Sequence, residues 1–243
     1  MHTLSELKSG KLSGIQHLTL SENLTSFPLE ILSLADTLEI LDLSNNELTS
    51  LPKELAQLRK LKILFASNNH FETLPEALGQ CASLEMIGFK SNKIGHVPEN
   101  SLPTELRWLI LTDNQISTLP DSLGERPRLQ KLALAGNRLT QLPETLAQST
   151  NLELVRISAN QLTECPDQLL NLPRLAWLAF SGNPFSLSDE NIHSVPEIPS
   201  SSYSLQEILG RGASGIISKA HWNEQQPRFP DEIAVKVFKG QIT

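Results

Sequence analysis

The stretch Leu38 to Pro52 reads L-E-I-L-D-L-S-N-N-E-L-T-S-L-P. Leu41 and Leu43 stand two apart, which is the period of a strand with one face buried. Asn46 interrupts the alternation, and Leu48 and Leu51 turn the chain inward again before Pro52. Written as a pattern, the stretch is L-x-x-L-x-L-x-x-N-x-L-x-x-L-P. The pattern opens at Ile15, Leu38, Leu61, Leu84, Leu106, Leu129, Leu152 and Leu175, in steps of 23 residues with a single step of 22. Self-similarity at a fixed period is the mark of a solenoid, in which each unit buries its apolar face against its neighbours.

The interrupting residue is Asn at positions 23, 46, 69, 92, 114, 137, 160 and 183. Here the chain leaves the strand, so backbone groups lose their ladder partners inside the coil, and buried unpaired groups are costly. An Asn amide offers both donor and acceptor on a short stem. Stacked Asn residues are therefore expected to satisfy the turns. Leu-Pro pairs such as Leu51-Pro52, Leu74-Pro75 and Leu119-Pro120 begin the return, since proline is tolerated at the first turn of a helix. Pro52–Lys60 is expected to give a short helix with Leu55 and Leu58 inward.

This pattern resembles the leucine-rich repeat family over residues 15–185. The resemblance implies an α/β horseshoe of eight repeats of about 23 residues with a parallel sheet on its concave side. Residues 1–14, with Leu4, Leu7 and Leu12 spaced for one helix face, read as an N-terminal cap, which a solenoid needs because its end units expose core. The outward strand positions fall into columns. The first is His17, Ile40, Ile63, Met86, Trp108, Lys131, Leu154 and Trp177. The second is Thr19, Asp42, Phe65, Gly88, Ile110, Ala133, Arg156 and Ala179, and the third is mostly Ser, Thr and Ala. An apolar stripe therefore runs through Ile40, Ile63, Phe65, Met86, Trp108 and Ile110, with Leu154 and Trp177 beyond Lys131. Contiguous exposed apolar surface marks interaction sites, and Trp is enriched at binding hot spots. These eight residues are the candidate contacts for a protein or peptide partner, centred on Trp108.

Net charge is −7, which disfavours nucleic acid as a partner. No apolar run is long enough to span a bilayer, and the polar N-terminus lacks the apolar core of a secretory signal. Cys81 and Cys165 take places where sister repeats carry Leu58 and Leu142, so both are expected to be buried thiols. They lie more than three repeats apart, beyond disulfide reach at about 4.8 Å per stacked strand. A reducing cytoplasm fits best.

Residues 186–202, S-L-S-D-E-N-I-H-S-V-P-E-I-P-S-S-S, break the period and read as a linker. Ile192, Val195 and Ile198 are candidates to cover the last repeat, and His193 has no metal-like neighbours. The text then changes to Y-S-L-Q-E-I-L-G-R-G-A-S-G-I-I-S-K-A-H-W, and later I-A-V-K-V-F-K. Gly210, Gly212 and Gly215 form G-x-G-x-x-G. A dinucleotide motif opens a helix, whereas these glycines sit between two strand-like runs, Tyr203–Leu209 and Ile216–Trp222, and predict a hairpin.

With Ile233–Lys236 (I-A-V-K), residues 203–243 resemble the ATP-binding start of a protein kinase domain, a truncated antiparallel N-lobe. What the resemblance implies is a phosphate loop of Leu209, Gly210, Arg211, Gly212, Ala213, Ser214, Gly215 and Ile216, with Ile217 and Ala234 roofing the adenine and Lys236 on the phosphates. Ser214 departs from the family, where an aromatic often sits. No H-R-D and no D-F-G occurs in the 243 residues. No helix supplies the Glu that pairs with Lys236 in such kinases. The expectation is the N-terminal part of a cytoplasmic leucine-rich-repeat Ser/Thr kinase. ATP with magnesium and a protein substrate would belong to the parent, and this chain would be inactive alone with no tight cofactor. The alternative is a non-catalytic repeat scaffold with a vestigial kinase-like tail.

Overall fold

A computed structural model of the chain describes residues 2–187, 198–212, 215–224 and 230–238. It divides into two compact units, Met1–Asp189 and Glu190–Thr243.

The first unit is an eight-stranded parallel sheet in sequence order. Its strands are β1 His17–Thr19, β2 Ile40–Asp42, β3 Ile63–Phe65, β4 Met86–Gly88, β5 Trp108–Ile110, β6 Lys131–Ala133, β7 Leu154–Arg156 and β8 Trp177–Ala179. Each pairs in register one repeat on, as in Ile40 opposite Ile63 and Ile63 opposite Met86. The central residue of each strand points inward. Leu18, Leu41, Leu64, Ile87, Leu109, Leu132 and Val155 are all at 0% exposure. One continuous apolar core runs from Leu7 to Leu172. Within it, the ring of Phe71 meets that of Phe89 edge-on at 4.9 Å.

The returns are tight 3-10 turns rather than α-helices, except for α2 Asp167–Leu170. Lys53–Gln57 is one such turn, with Pro52 before it and with Leu55 and Leu58 fully buried. A rise of about 2 Å per residue lets a short segment span one repeat. The single 22-residue step falls in the Glu99–Ser101 return, which is three residues long against five in Glu76–Gln80. Ser101 takes a core position there, and its hydroxyl donates to the Pro98 carbonyl at 2.6 Å.

Seven of the eight Asn residues build the expected ladder, and its bonds run between repeats. Asn46 Nδ2 donates to Leu43 O in its own repeat and to Leu20 O in the preceding one, both at 2.8 Å. Its Oδ1 accepts from Leu24 N at 2.9 Å. The same bond to the preceding turn is made by Asn69, Asn92, Asn114, Asn137, Asn160 and Asn183. Each Asn thus satisfies its neighbour's turn.

Asn23 differs from this expectation. It is exposed and takes a left-handed φ of 55°. No repeat precedes it to offer backbone groups. The residue before each later ladder Asn carries the left-handed φ, as at Asn45 and Asn68. In the first repeat that place is Glu22, whose carboxylate accepts from Leu4 N at 2.7 Å and joins the cap. The positive φ moves to Asn23, a residue type that tolerates it.

The cap itself is α1 Leu4–Lys8, shorter than the spacing of Leu4, Leu7 and Leu12 suggests. Thr3 and Glu6 form a reciprocal capping box at its start. Leu12 lies beyond the helix in a turn and is still buried. Cys81 is buried as expected, and burial pushes its thiol up to about 11. Cys165 is exposed, against expectation. Its counterpart Leu142, one repeat earlier, is buried. Ile192, His193 and Val195 lie outside the described residues, and Ile198 is exposed.

The second unit is an antiparallel sheet of β9 Tyr203–Gly212, β10 Gly215–Trp222 and β11 Glu232–Phe238, in the order β11-β10-β9. The hairpin reading of the glycine stretch agrees with this. The ladder runs up to the Gly212–Gly215 pair. Ala213 and Ser214 lie outside the described residues.

Candidate functional site

Register places the predicted columns side by side. Ile40, Ile63, Met86, Trp108, Lys131, Leu154 and Trp177 stand on successive strands of one sheet face. Ile40, Ile63, Met86, Trp108 and Leu154 are half-buried, and Trp177 is 58% exposed. Parallel strands stand about 4.8 Å apart, so each side chain covers part of the next.

Two contacts shape this face in ways the columns alone do not show. A Cβ at Gly88 would stand 2.5 Å from Phe65 Cδ1, so the Phe65 ring lies over Gly88. Phe65 therefore reaches toward Ile110 across the gap in its column. Lys131 Nζ sits 3.6 Å from the centroid of the Trp108 ring, a cation–π contact. The stripe is continuous from Ile40 to Ile110, and Lys131 closes it on the β6 side.

Between Ile63, Met86 and Trp108 lies a shallow depression of about 220 Å³, bordered by Glu85 and Arg107. Those two charges belong to the residues just before each strand, where Glu39, Lys62, Glu85 and Arg107 alternate in sign. They pair across repeats. Lys62 Nζ meets Glu39 at 2.8 Å, and this bond raises the lysine pKa. Arg107 meets Glu85 at 3.2 Å and also donates to Gln130 at 2.8 Å. Arg128 reaches both Glu85 and Glu105. The apolar floor thus has a charged wall fixed by inter-repeat bonds. Reading only the outward strand positions misses this wall. The alternation of sign one place earlier, from repeat to repeat, is the signal that finds it.

In the second unit, Ile217 stands opposite Lys236 on one side and Gly210 on the other. Ala234 lies two residues from Lys236 and opposite Lys219. Directly opposed residues of an antiparallel pair share a face, so Ile217, Ala234 and Lys236 project to one side of the sheet. Lys219 on that side pairs with Glu232 at 2.7 Å. Leu209 is 57% exposed.

Among the described residues, no helix is long and apolar enough to cross a membrane. A family model described as leucine rich repeat matches residues 36–94, 104–162 and 127–185, more than half of the chain. The matched segments include neither the first repeat nor residues 203–243. A comparison with curated proteins finds no match. Among solved structures, the chain is similar to a leucine-rich repeat protein of Leptospira interrogans, at 32% identity over 73% of this chain and 45% of that one, with a TM-score of 0.68. It is similar in fold to an internalin of Listeria monocytogenes, at 22% identity over 74% of this chain and 51% of the other, with a TM-score of 0.63. The chain spans about half the length of each.

Proposed function

The chain belongs to the leucine-rich repeat family, and on that premise we propose that its solenoid is a recognition scaffold for a protein or peptide partner. The partner lies on the concave sheet face over Ile40, Ile63, Phe65, Met86, Trp108 and Ile110, with Leu154 and Trp177 extending the contact. The observation that carries this reading is the apolar depression between Ile63, Met86 and Trp108 with its bonded charged wall. A fixed polar rim around an apolar floor gives orientation as well as area, which is how interfaces obtain specificity. The test is affinity capture with the intact protein beside its Trp108→Ala and Phe65→Ala variants. Partners lost from the variants support the reading. Retention of every partner by both variants refutes it. The same reading places the protein in the cytoplasm, where its two free thiols stay reduced.

A second reading concerns residues 203–243, as the ATP-binding start of a Ser/Thr kinase whose catalytic remainder lies in a longer parent. The shared face of Ile217, Ala234 and Lys236 supports it. Lys236 would hold the phosphates of magnesium-bound ATP, Ile217 and Ala234 would meet the base, and the backbone around Gly210 and Gly212 would close over the phosphates. Comparison with known proteins adds nothing to this reading and favours the scaffold. Calorimetry with Mg-ATP tests it: this chain is expected to bind weakly or not at all. Discovery of a catalytic-loop Asp further along the same reading frame supports the kinase parent, and a native chain ending at Thr243 removes it.

A further inference from the structure

The sheet face that carries these columns changes character at β6. Lys131 on β6 and Arg156 on β7 stand in adjacent columns, with Ala133 beside Arg156 in register. Diagonal neighbours on a sheet lie about 7–8 Å apart, within reach of two long side chains converging on one group. On one side of them Ala133, Ala135 and Ala179 project little bulk, while on the other Leu154 stands beside Lys131 with Trp177 next to it. Among the described residues, neither cation has a carboxylate partner. Lys131 engages only the Trp108 ring, and Arg156 is exposed. Glu153, the acid just before β7, forms no ion pair with either. The other cations of this face are committed, Lys62 to Glu39, Lys90 to Asp113 and Arg107 to Glu85.

We propose that the partner segment is an apolar-acidic peptide, whose large apolar side chain sits against Met86 and Trp108 and whose Asp or Glu carboxylate is taken by Lys131 and Arg156. This rests on the concave-face reading above. The geometry sets the spacing. From β5 to β6 and β7 is one to two strand steps, about 5–10 Å. An extended chain advances roughly 3.3 Å per residue. The carboxylate therefore falls two or three residues from the apolar anchor. A chain of net charge −7 repels acidic partners at long range, so the selectivity must come from this local pair.

The probe is an array of synthetic 11-residue peptides with Leu, Phe or Trp fixed at the centre. Asp, Glu, Ala or Lys is varied two and three places to either side. The intact protein is compared with Trp108→Ala, Lys131→Gln/Arg156→Gln and Lys131→Glu/Arg156→Glu, each checked for folding by circular dichroism. Acid-bearing peptides are expected to bind the wild type about five- to tenfold more tightly than their Ala counterparts, the size of two partly exposed ion pairs. The Gln pair should abolish that preference, and the Glu pair should turn it toward Lys peptides. Peptides that bind through Trp108 with no acid preference, or a preference that survives both double variants, overturn the proposal and leave concave-face recognition standing. An array on which no peptide binding depends on Trp108 overturns both.

Discussion

Replacing Asn114 with Ala isolates what the Asn ladder contributes. Asn114 is 8% exposed. Its Oδ1 accepts from Ile94 N at 2.9 Å, and its Nδ2 donates to Phe89 O at 2.9 Å and to Leu111 O at 3.0 Å. The two carbonyls are not orphaned by the change. Phe89 O keeps Asn92 Nδ2 at 3.1 Å, and Leu111 O keeps Asn137 Nδ2 at 2.9 Å. Ile94 N–H, in contrast, loses its partner inside the protein. An unsatisfied buried donor costs about 1–3 kcal/mol, and each of the two lost carbonyl bonds about 0.5–1.5 kcal/mol. The expected loss is thus roughly 2–6 kcal/mol.

Asn23→Ala is the internal control. Asn23 has the same place in the repeat but is exposed and takes no part in the ladder. Its removal costs about 1 kcal/mol, the strain of Ala at a left-handed φ, and Asn23→Gly should cost nothing. Urea unfolding followed by circular dichroism gives both numbers, with equal m-values confirming that the same surface unfolds. Hydrogen exchange at the Ile94 amide adds a local readout, with protection lost in Asn114→Ala alone. Equal costs for Asn114→Ala and Asn23→Ala, or a cost below about 1 kcal/mol at Asn114, would refute the reasoning.

Gly79→Ala should destabilise by about 1–3 kcal/mol, because its Cβ would stand 1.9 Å from the backbone oxygen of Asn100, which cannot swing away. Thermal unfolding beside Gly210→Ala, where nothing lies within 4 Å, checks this. Phe71→Ala should cost about 3–5 kcal/mol, since the ring is fully buried against Phe89. A loss under about 1 kcal/mol would show that the core collapses around the gap. In a thiol-labelling time course at pH 8, Cys165 should react promptly. Cys81, held protonated by burial with its thiol pushed up to about 11, should react only on unfolding. Equal rates in the folded protein would contradict the burial of Cys81.

The strands and the core followed from the chain alone because both are periodic in it. Leu41 and Leu43 stand two apart, the unit returns every 23 residues, and in-register stacking is the arrangement that buries every copy of the pattern at once. The glycine hairpin was legible for a similar reason, as strand-forming runs flank it closely. Other features depend on which residue lies across a repeat boundary, and only tertiary structure decides them. Asn23 matches the pattern and drops out of the ladder because no repeat precedes it. Cys165 matches a Leu position and is exposed, near the end of the repeat stack. Phe65 lies over Gly88 and Lys131 over Trp108 because the neighbouring strand, 22 or 23 residues away, leaves or fills that space. Periodicity specifies what each unit offers. Packing between units, where a hydrogen bond or a ring contact needs two partners within a few ångströms, specifies what remains for another molecule to bind.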